Sequence, residues 1–261
     1  MILNFRICLK LITIIFILTF SLIPISYAQT IPITVSSDMD KVIFDGKWTF
    51  QQEWKPSSLN EIDTPSGSLY IRTAHQNNFI YVFIDAALDT NPVAGSDRAT
   101  ICFDSDDSKS KIADSDDYCF IVPLGGRNSA ILQGGGPLTS TGNFKRIPPP
   151  PDFIGIGGIS DIHDIYAQIA HPSYEYRIPL DLIGRSNSYG FYVEFYDASS
   201  NKFYSWPQIG TNTPYSHIPS PNKWGELISP DHTLPEFPFP FLSLIVSFMV
   251  VTYFLKLRIR N

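Results

Sequence analysis

Between Gln29 and His232 no stretch sustains a 3.6-residue apolar period. Apolar residues fall instead in short aromatic or β-branched runs cut by Gly, Pro, Asn and Asp. Leu69 to Ala74 is followed, after His75-Gln76-Asn77-Asn78, by Phe79 to Asp85, a spacing that predicts a hairpin closed by a four-residue turn. Further runs are Ala99–Phe103, Tyr118–Pro123, Ile165–Ala170, Tyr174–Pro179 and Tyr189–Tyr196. Gly125 to Gly158 interrupts the pattern with Gly134-Gly135-Gly136 and Pro148 to Pro151, and reads as a long loop or irregular hairpin. No Gly-Lys-Ser/Thr follows these glycines, so they do not make a phosphate loop. With 44% hydrophobic and 14% aromatic residues the chain can bury a core. Short strands without helices predict an all-β fold, an antiparallel β-sandwich of immunoglobulin or jelly-roll type.

Charge is unevenly placed. Lys and Arg number 19 against 25 Asp and Glu, a net charge of −6. Residues 1–28 hold Arg6 and Lys10 and no acid, and residues 237–261 hold Lys256, Arg258 and Arg260 and no acid. All 25 acids therefore lie between, with the remaining 14 basic residues. A section this acidic repels phosphate, which argues against a nucleic-acid partner. Arg6 and Lys10, the apolar Leu11–Ile25 and Ser26-Tyr27-Ala28 read as a signal peptide over 1–28; an uncleaved anchor is the alternative. An exported domain over 29–230 follows, then a Pro-rich stalk over 231–240. A transmembrane helix over 241–255 comes next, and a basic tail over 256–261 stays inside. The predicted location is the cell surface.

Pro235-Glu236-Phe237, a hydrophobic span and a basic end resemble the C-terminal sorting signals processed by archaeosortases. The resemblance implies a processing enzyme as partner and attachment to a surface lipid after removal of the helix. A plain single-span anchor is the other reading.

Asp45-Gly46-Lys47-Trp48, Trp54, Phe79 to Asp85, Phe103-Asp104, Glu175 to Leu180 and Trp224-Gly225-Glu226-Leu227 together resemble the family 9 carbohydrate-binding modules and the DOMON-like sandwich domains. What the resemblance implies is a sandwich whose members bind sugars or haem, or serve adhesion and sensing. The expected partner is a glycan or another component of the cell envelope. A structural or adhesion protein without a small ligand is the alternative. Haem is not expected, because the mature section offers only Met39 as a methionine ligand.

Local chemistry concentrates between Cys102 and Cys119. Asp104, Asp106, Asp107, Asp114, Asp116 and Asp117 lie within 14 residues, offset by Lys109 and Lys111. An oxygen-rich, sulfur-free set suits Ca²⁺, and the alternative is a solvated acidic hairpin tip. The two cysteines sit in neighbouring strand-like runs and are predicted to form a disulfide. The resemblance implies that Trp48, Trp54 and Trp224 are core, whereas Tyr204 and Trp206, in a turn-rich segment at the domain rim, are the candidate ligand-binding pair, with partial burial against a loop as the alternative. The scattered histidines, without His-Glu-x-x-His or a nucleophile elbow, give no catalytic site, so a binding role is expected rather than an enzyme.

Overall fold

The computed structural model describes residues 29–126, 129–139, 142–208 and 218–229. The predicted signal peptide, stalk, transmembrane helix, basic tail and Pro235-Glu236-Phe237 motif lie outside the described residues. Among those described, no helix is long and apolar enough to cross a membrane.

Two sheets pack face to face. The eight-stranded sheet contains β1 (Thr30–Pro32), β6 (Arg98–Asp104), β7 (Asp117–Pro123), β8 (Ala130–Gln133), β9 (Lys145–Ile147), β12 (Ser188–Asp197), β13 (Lys202–Trp206) and β14 (Gly225–Ile228). Its order is β1-β14-β12-β6-β7-β8-β9, and β13 pairs the second half of β12 on the edge whose first half takes β14. The six-stranded sheet contains β2 (Thr34–Val35), β3 (Ser58–Thr64), β4 (Gly67–Gln76), β5 (Phe79–Asp85), β10 (Ile154–Ile159) and β11 (Pro172–Pro179), in the order β10-β11-β5-β4-β2 with β3 also on β4. A single turn of helix, α1 (Leu180–Ile183), follows β11.

Period-two alternation decides which residues meet between the sheets. Ile80, Val82 and Ile84 of β5 and Tyr174, Tyr176 and Ile178 of β11 face Ile101 and Phe103 of β6 and Phe191, Val193 and Phe195 of β12, all buried. Phe103 meets Phe120 and Tyr189 edge-on, the arrangement that aromatic quadrupoles favour. The Tyr176 hydroxyl crosses the core and donates to the Ala99 carbonyl at 2.9 Å.

The outer face of the six-stranded sheet is covered by residues 36–57. Trp48 and Trp54 from this segment pack on Tyr81 and Phe83 and are fully buried. Gly46 lets the cover approach closely: its φ is +87°, and a Cβ there would stand 2.5 Å from the Gly158 nitrogen.

Four expectations need correction. The sheets are mixed rather than antiparallel, because β1 pairs β14 and β2 pairs β4 in parallel. These short N-terminal strands enter beside strands distant in sequence, which no hairpin turn reports. The β4–β5 turn is Asn77-Asn78 alone, with Asn77 at φ 54°, so His75 and Gln76 belong to the ladder. Gly125 to Gly158 is not one long loop: it holds the antiparallel hairpin β8–β9, with Gly134-Gly135-Gly136 in its connection, and most of β10, whose glycines admit close neighbours. Ile165–Ala170 is a surface loop, where Ile165 and Ile169 are exposed.

Candidate functional site

The outer face of the eight-stranded sheet gathers polar and aromatic side chains in rows set by strand register. Phe191, Val193 and Phe195 point into the core, so Tyr192, Glu194 and Tyr196 point outward. Directly paired residues share a face. Tyr196 pairs Arg98 on one side and Phe203 on the other, giving the row Phe203-Tyr196-Arg98. Glu194 pairs Thr100 and Ser205, giving a second row. In the first row all three residues keep intermediate exposure, the Arg98 guanidinium lies 4.1 Å over the Tyr196 ring, and the Tyr196 and Phe203 rings are 4.6 Å apart. In the second, Thr100 and Glu194 are buried beneath, and the Tyr192 hydroxyl donates to Glu194 Oε2 at 2.9 Å.

Further along the same face, Tyr192 stacks on Trp224 at 6.4 Å, and a small apolar cluster of Phe144, Leu132, Ile218 and Trp224 covers Cys102 and Cys119. Over this cluster opens a cleft of about 240 Å³, whose lining includes Lys111, Lys223, Asn143 and Ser220. The whole face thus offers ring surface, a guanidinium and amide and ammonium donors, with the Glu194 carboxylate buried beneath.

Cys102 and Cys119 are directly paired across β6 and β7 and form a disulfide. Tyr204 and Trp206 alternate the other way from Phe203 and Ser205. Trp206 is 7% exposed and packs against Phe191, while Tyr204 stacks on Phe195 and its hydroxyl reaches Ser66. Both rings belong to the edge of the inner core.

Of the acidic loop, the structure brings Asp104, Asp106 and Asp116 together, with carboxylate oxygens within 4.8 Å of one another. Asp104 is buried and accepts from the Ser108 and Lys109 amides at 3.1 and 2.9 Å. The Asp106 amide donates to Asp116 at 3.3 Å. Asp107 instead faces Lys109, which also approaches Glu226. Asp117, fully buried, accepts from the Asp114 amide at 2.7 Å. Burial, reinforced by the charges of Asp104, Asp114 and Asp116, pushes Asp117 up to about 8. Burial also pushes Asp104 up to about 6.

Sequence reading missed a second all-oxygen group. Asp89 and Asp97, from the β5–β6 connection, meet Asp197 at the end of β12, and all three are buried. Asp97 accepts from the Val93 and Ala198 amides, Asp197 from Ser199 and Ser200, while Asp89 Oδ2 has no hydrogen-bond partner. Burial, with Asp197 and Asp97 nearby, pushes Asp89 up to about 6. Three converging carboxylates of this kind suit a hard cation. Nothing local marks them, since about 100 residues separate Asp97 from Asp197. The Arg98-Tyr196-Phe203 row escaped for the same reason: each strand's alternation was legible, but not which strands pair.

No family model matches the chain, and no curated protein matches it. Solved structures similar to it include two carbohydrate-binding modules. One is a family 9 carbohydrate-binding module from Caldicellulosiruptor kristjanssonii in complex with glucose, at 15% identity and a TM-score of 0.47, covering 77% of this chain and 95% of that chain. The other is a family 9 module from the same organism in complex with cellotriose, at 15% identity and a TM-score of 0.46, covering 80% and 100%.

Proposed function

We propose that the domain is a carbohydrate-binding module that takes its ligand on the outer face of the eight-stranded sheet. The observation that carries this reading is the Phe203-Tyr196-Arg98 row lying beside Glu194 and Ser205. A sugar ring presents an apolar C–H face and an equatorial rim of hydroxyls. Partly open aromatic rings suit the first, and a guanidinium and a hydroxyl suit the second.

Titration calorimetry with glucose and cello-oligosaccharides, followed by a glycan array, tests it. An aromatic contact contributes about 0.5–1.5 kcal/mol beyond its buried area. Joint replacement of Tyr196 and Phe203 by Ala is therefore expected to weaken binding about tenfold or more. A folded wild-type protein that binds no glycan would overturn the proposal in favour of a structural or adhesion role.

The reading extends to calcium and to location. Ca²⁺ is proposed for Asp104, Asp106 and Asp116, where three carboxylates converge; calorimetry before and after EDTA treatment tests it, and no Ca²⁺ heat that Asp104→Asn abolishes would sink it. Export to the cell surface is supported by the disulfide, which persists in an oxidising compartment. Intact mass of membrane-extracted protein tests attachment: a chain ending near Pro235 with added lipid supports sorting, and one reaching Asn261 supports a plain anchor.

A further inference from the structure

Under the cover of the six-stranded sheet, three side chains from separate places in the chain converge. Asp85 ends β5, His171 immediately precedes β11, and Asp164 sits in the surface loop between β10 and β11. Asp85 and His171 have no exposed surface, and Asp164 is 5% exposed. His171 Nε2 stands 2.6 Å from Asp85 Oδ1 and 3.7 Å from Asp164 Oδ2. None of these three atoms has a hydrogen-bond partner, and neither does Asp85 Oδ2.

The other side of the imidazole explains why. His171 Nδ1 lies 2.6 Å from the Ile169 carbonyl, which can only accept, so Nδ1 is the protonated nitrogen. Ser160 Oγ, 2.8 Å from the same Nδ1, also receives the His171 amide and helps hold the ring. In the neutral ring this leaves a lone pair on Nε2, aimed at a carboxylate oxygen. A lone pair against an anionic oxygen at that distance is repulsive unless a proton or a metal ion lies between them. Of the guanidinium groups on this face, Arg72 is committed to the Tyr166 hydroxyl and to the carbonyls of Trp54 and Ser57, and Arg177 lies over the Phe44 and Phe79 rings.

We propose that Asp85, Asp164 and His171 form a binding site for a divalent transition-metal ion, such as Zn²⁺ or Mn²⁺. One imidazole nitrogen with carboxylate oxygens is a mixed set that suits these ions better than Ca²⁺. A carbonyl bound to the far ring nitrogen is the usual orienting partner of a metal-binding histidine. Two carboxylates and a neutral imidazole balance the ion's charge. Metal–ligand bonds of about 2.0–2.2 Å place donor atoms roughly 3–3.6 Å apart. The 3.7 Å separation lies just beyond this range, and the 2.6 Å pair must open by roughly 0.4–1 Å to enter it. Asp164 is the buried acid of the loop Asp161–Ala170, whose Tyr166 also stacks on Tyr70 of the sheet. The ion therefore staples that loop to the sheet, a structural role distinct from ligand binding on the opposite face.

The test uses the folded domain, stripped with EDTA and then saturated with Ca²⁺ to fill the all-oxygen groups. Zn²⁺ and Co²⁺ are added, with uptake read by elemental analysis and by Co²⁺ visible absorption. One equivalent is expected, and His171→Ala and Asp164→Asn should each weaken it more than tenfold. Should the variants not fold, the wild-type Co²⁺ protein decides alone. Its proton spectrum should show one paramagnetically shifted, slowly exchanging N–H, the His171 Nδ1 proton held by Ile169. No uptake by the folded wild type, uptake untouched by both variants, or a Co²⁺ form lacking the shifted N–H would overturn the site and leave a proton shared between His171 and Asp85.

Discussion

On the six-stranded sheet the outward Arg72, Phe83 and Glu175 lie beneath Trp48, Trp54 and Tyr166; on the eight-stranded sheet the outward Arg98, Tyr196 and Phe203 remain partly open. Strand alternation is the same in both. The difference is what lies on top. Residues 36–57 turn one outer face into a second core, so polar groups there survive only with internal partners. Glu175 accepts from the Gly46 amide at 2.6 Å and from Trp54 Nε1 at 3.1 Å, and Arg72 lies over the Trp48 ring while donating to backbone carbonyls. The other face is tied by a covalent bond between β6 and β7, and its Arg98, Tyr196 and Phe203 stay partly exposed.

This contrast predicts the largest loss of stability at Trp54. It stacks on Phe83 at 5.2 Å, is fully buried and satisfies Glu175. Trp54→Ala is expected to cost about 3–5 kcal/mol, with a further penalty for the bereft carboxylate, in urea denaturation. A loss under about 1 kcal/mol would mean the cover is a loose flap and the two faces are alike.

On the opposite face the disulfide comes next. Replacing Cys102 and Cys119 by Ala reopens a loop of sequence separation 17. For a loop this size the expected loss is about 3 kcal/mol, read as a lower urea midpoint. Unchanged stability would remove the covalent tie from the comparison.

Glu175 sharpens the contrast through pH. Burial, outweighing the bonds from Gly46 and Trp54, holds its carboxyl well above the ordinary value. The native state therefore keeps a proton that the unfolded state releases, and stability falls as pH rises from the ordinary glutamate range toward the raised folded value. The slope limit for one group is about 1.4 kcal/mol per pH unit. Glu175→Gln keeps an acceptor for Trp54 and is expected to flatten the stability profile between pH 5 and pH 7, roughly the span just above that range. An identical slope in the variant would show that the carboxyl is not desolvated.

The sequence made the strands and the core legible because alternation and turn residues are local. Phe79 to Asp85 announces both its faces within seven residues. Trp48 and Trp54 read as core and are buried. Tyr204 and Trp206 show the limit of the same reasoning. A turn-rich context suggests a place at the domain rim, open to a ligand or partly buried against a loop; β13 pairs β12 in a register that turns both rings toward the core and sets Phe203 outward. The parallel pairings of β1 and β2, and the meeting of Asp85, Asp164 and His171, depend on contacts between distant segments. Within a single chain no residue pattern reports them.

The smallest stability effect is expected where the functional effect is largest. Phe203 and Tyr196 are half-exposed on an edge strand and its neighbour, so each gives up little buried area when cut back to Ala. A loss within about 1 kcal/mol is expected for either, against several for Trp54. If the open face binds a glycan, the same substitutions weaken binding while leaving the fold intact. Trp54→Ala in protein that remains folded should do the reverse, retaining affinity on a destabilised domain. The comparison of the two faces thus becomes a crossed pattern in two measurements, urea midpoint and calorimetric affinity. Coincident losses at Phe203 and Trp54 would show that the faces are energetically one, and would move the ligand site off the eight-stranded sheet.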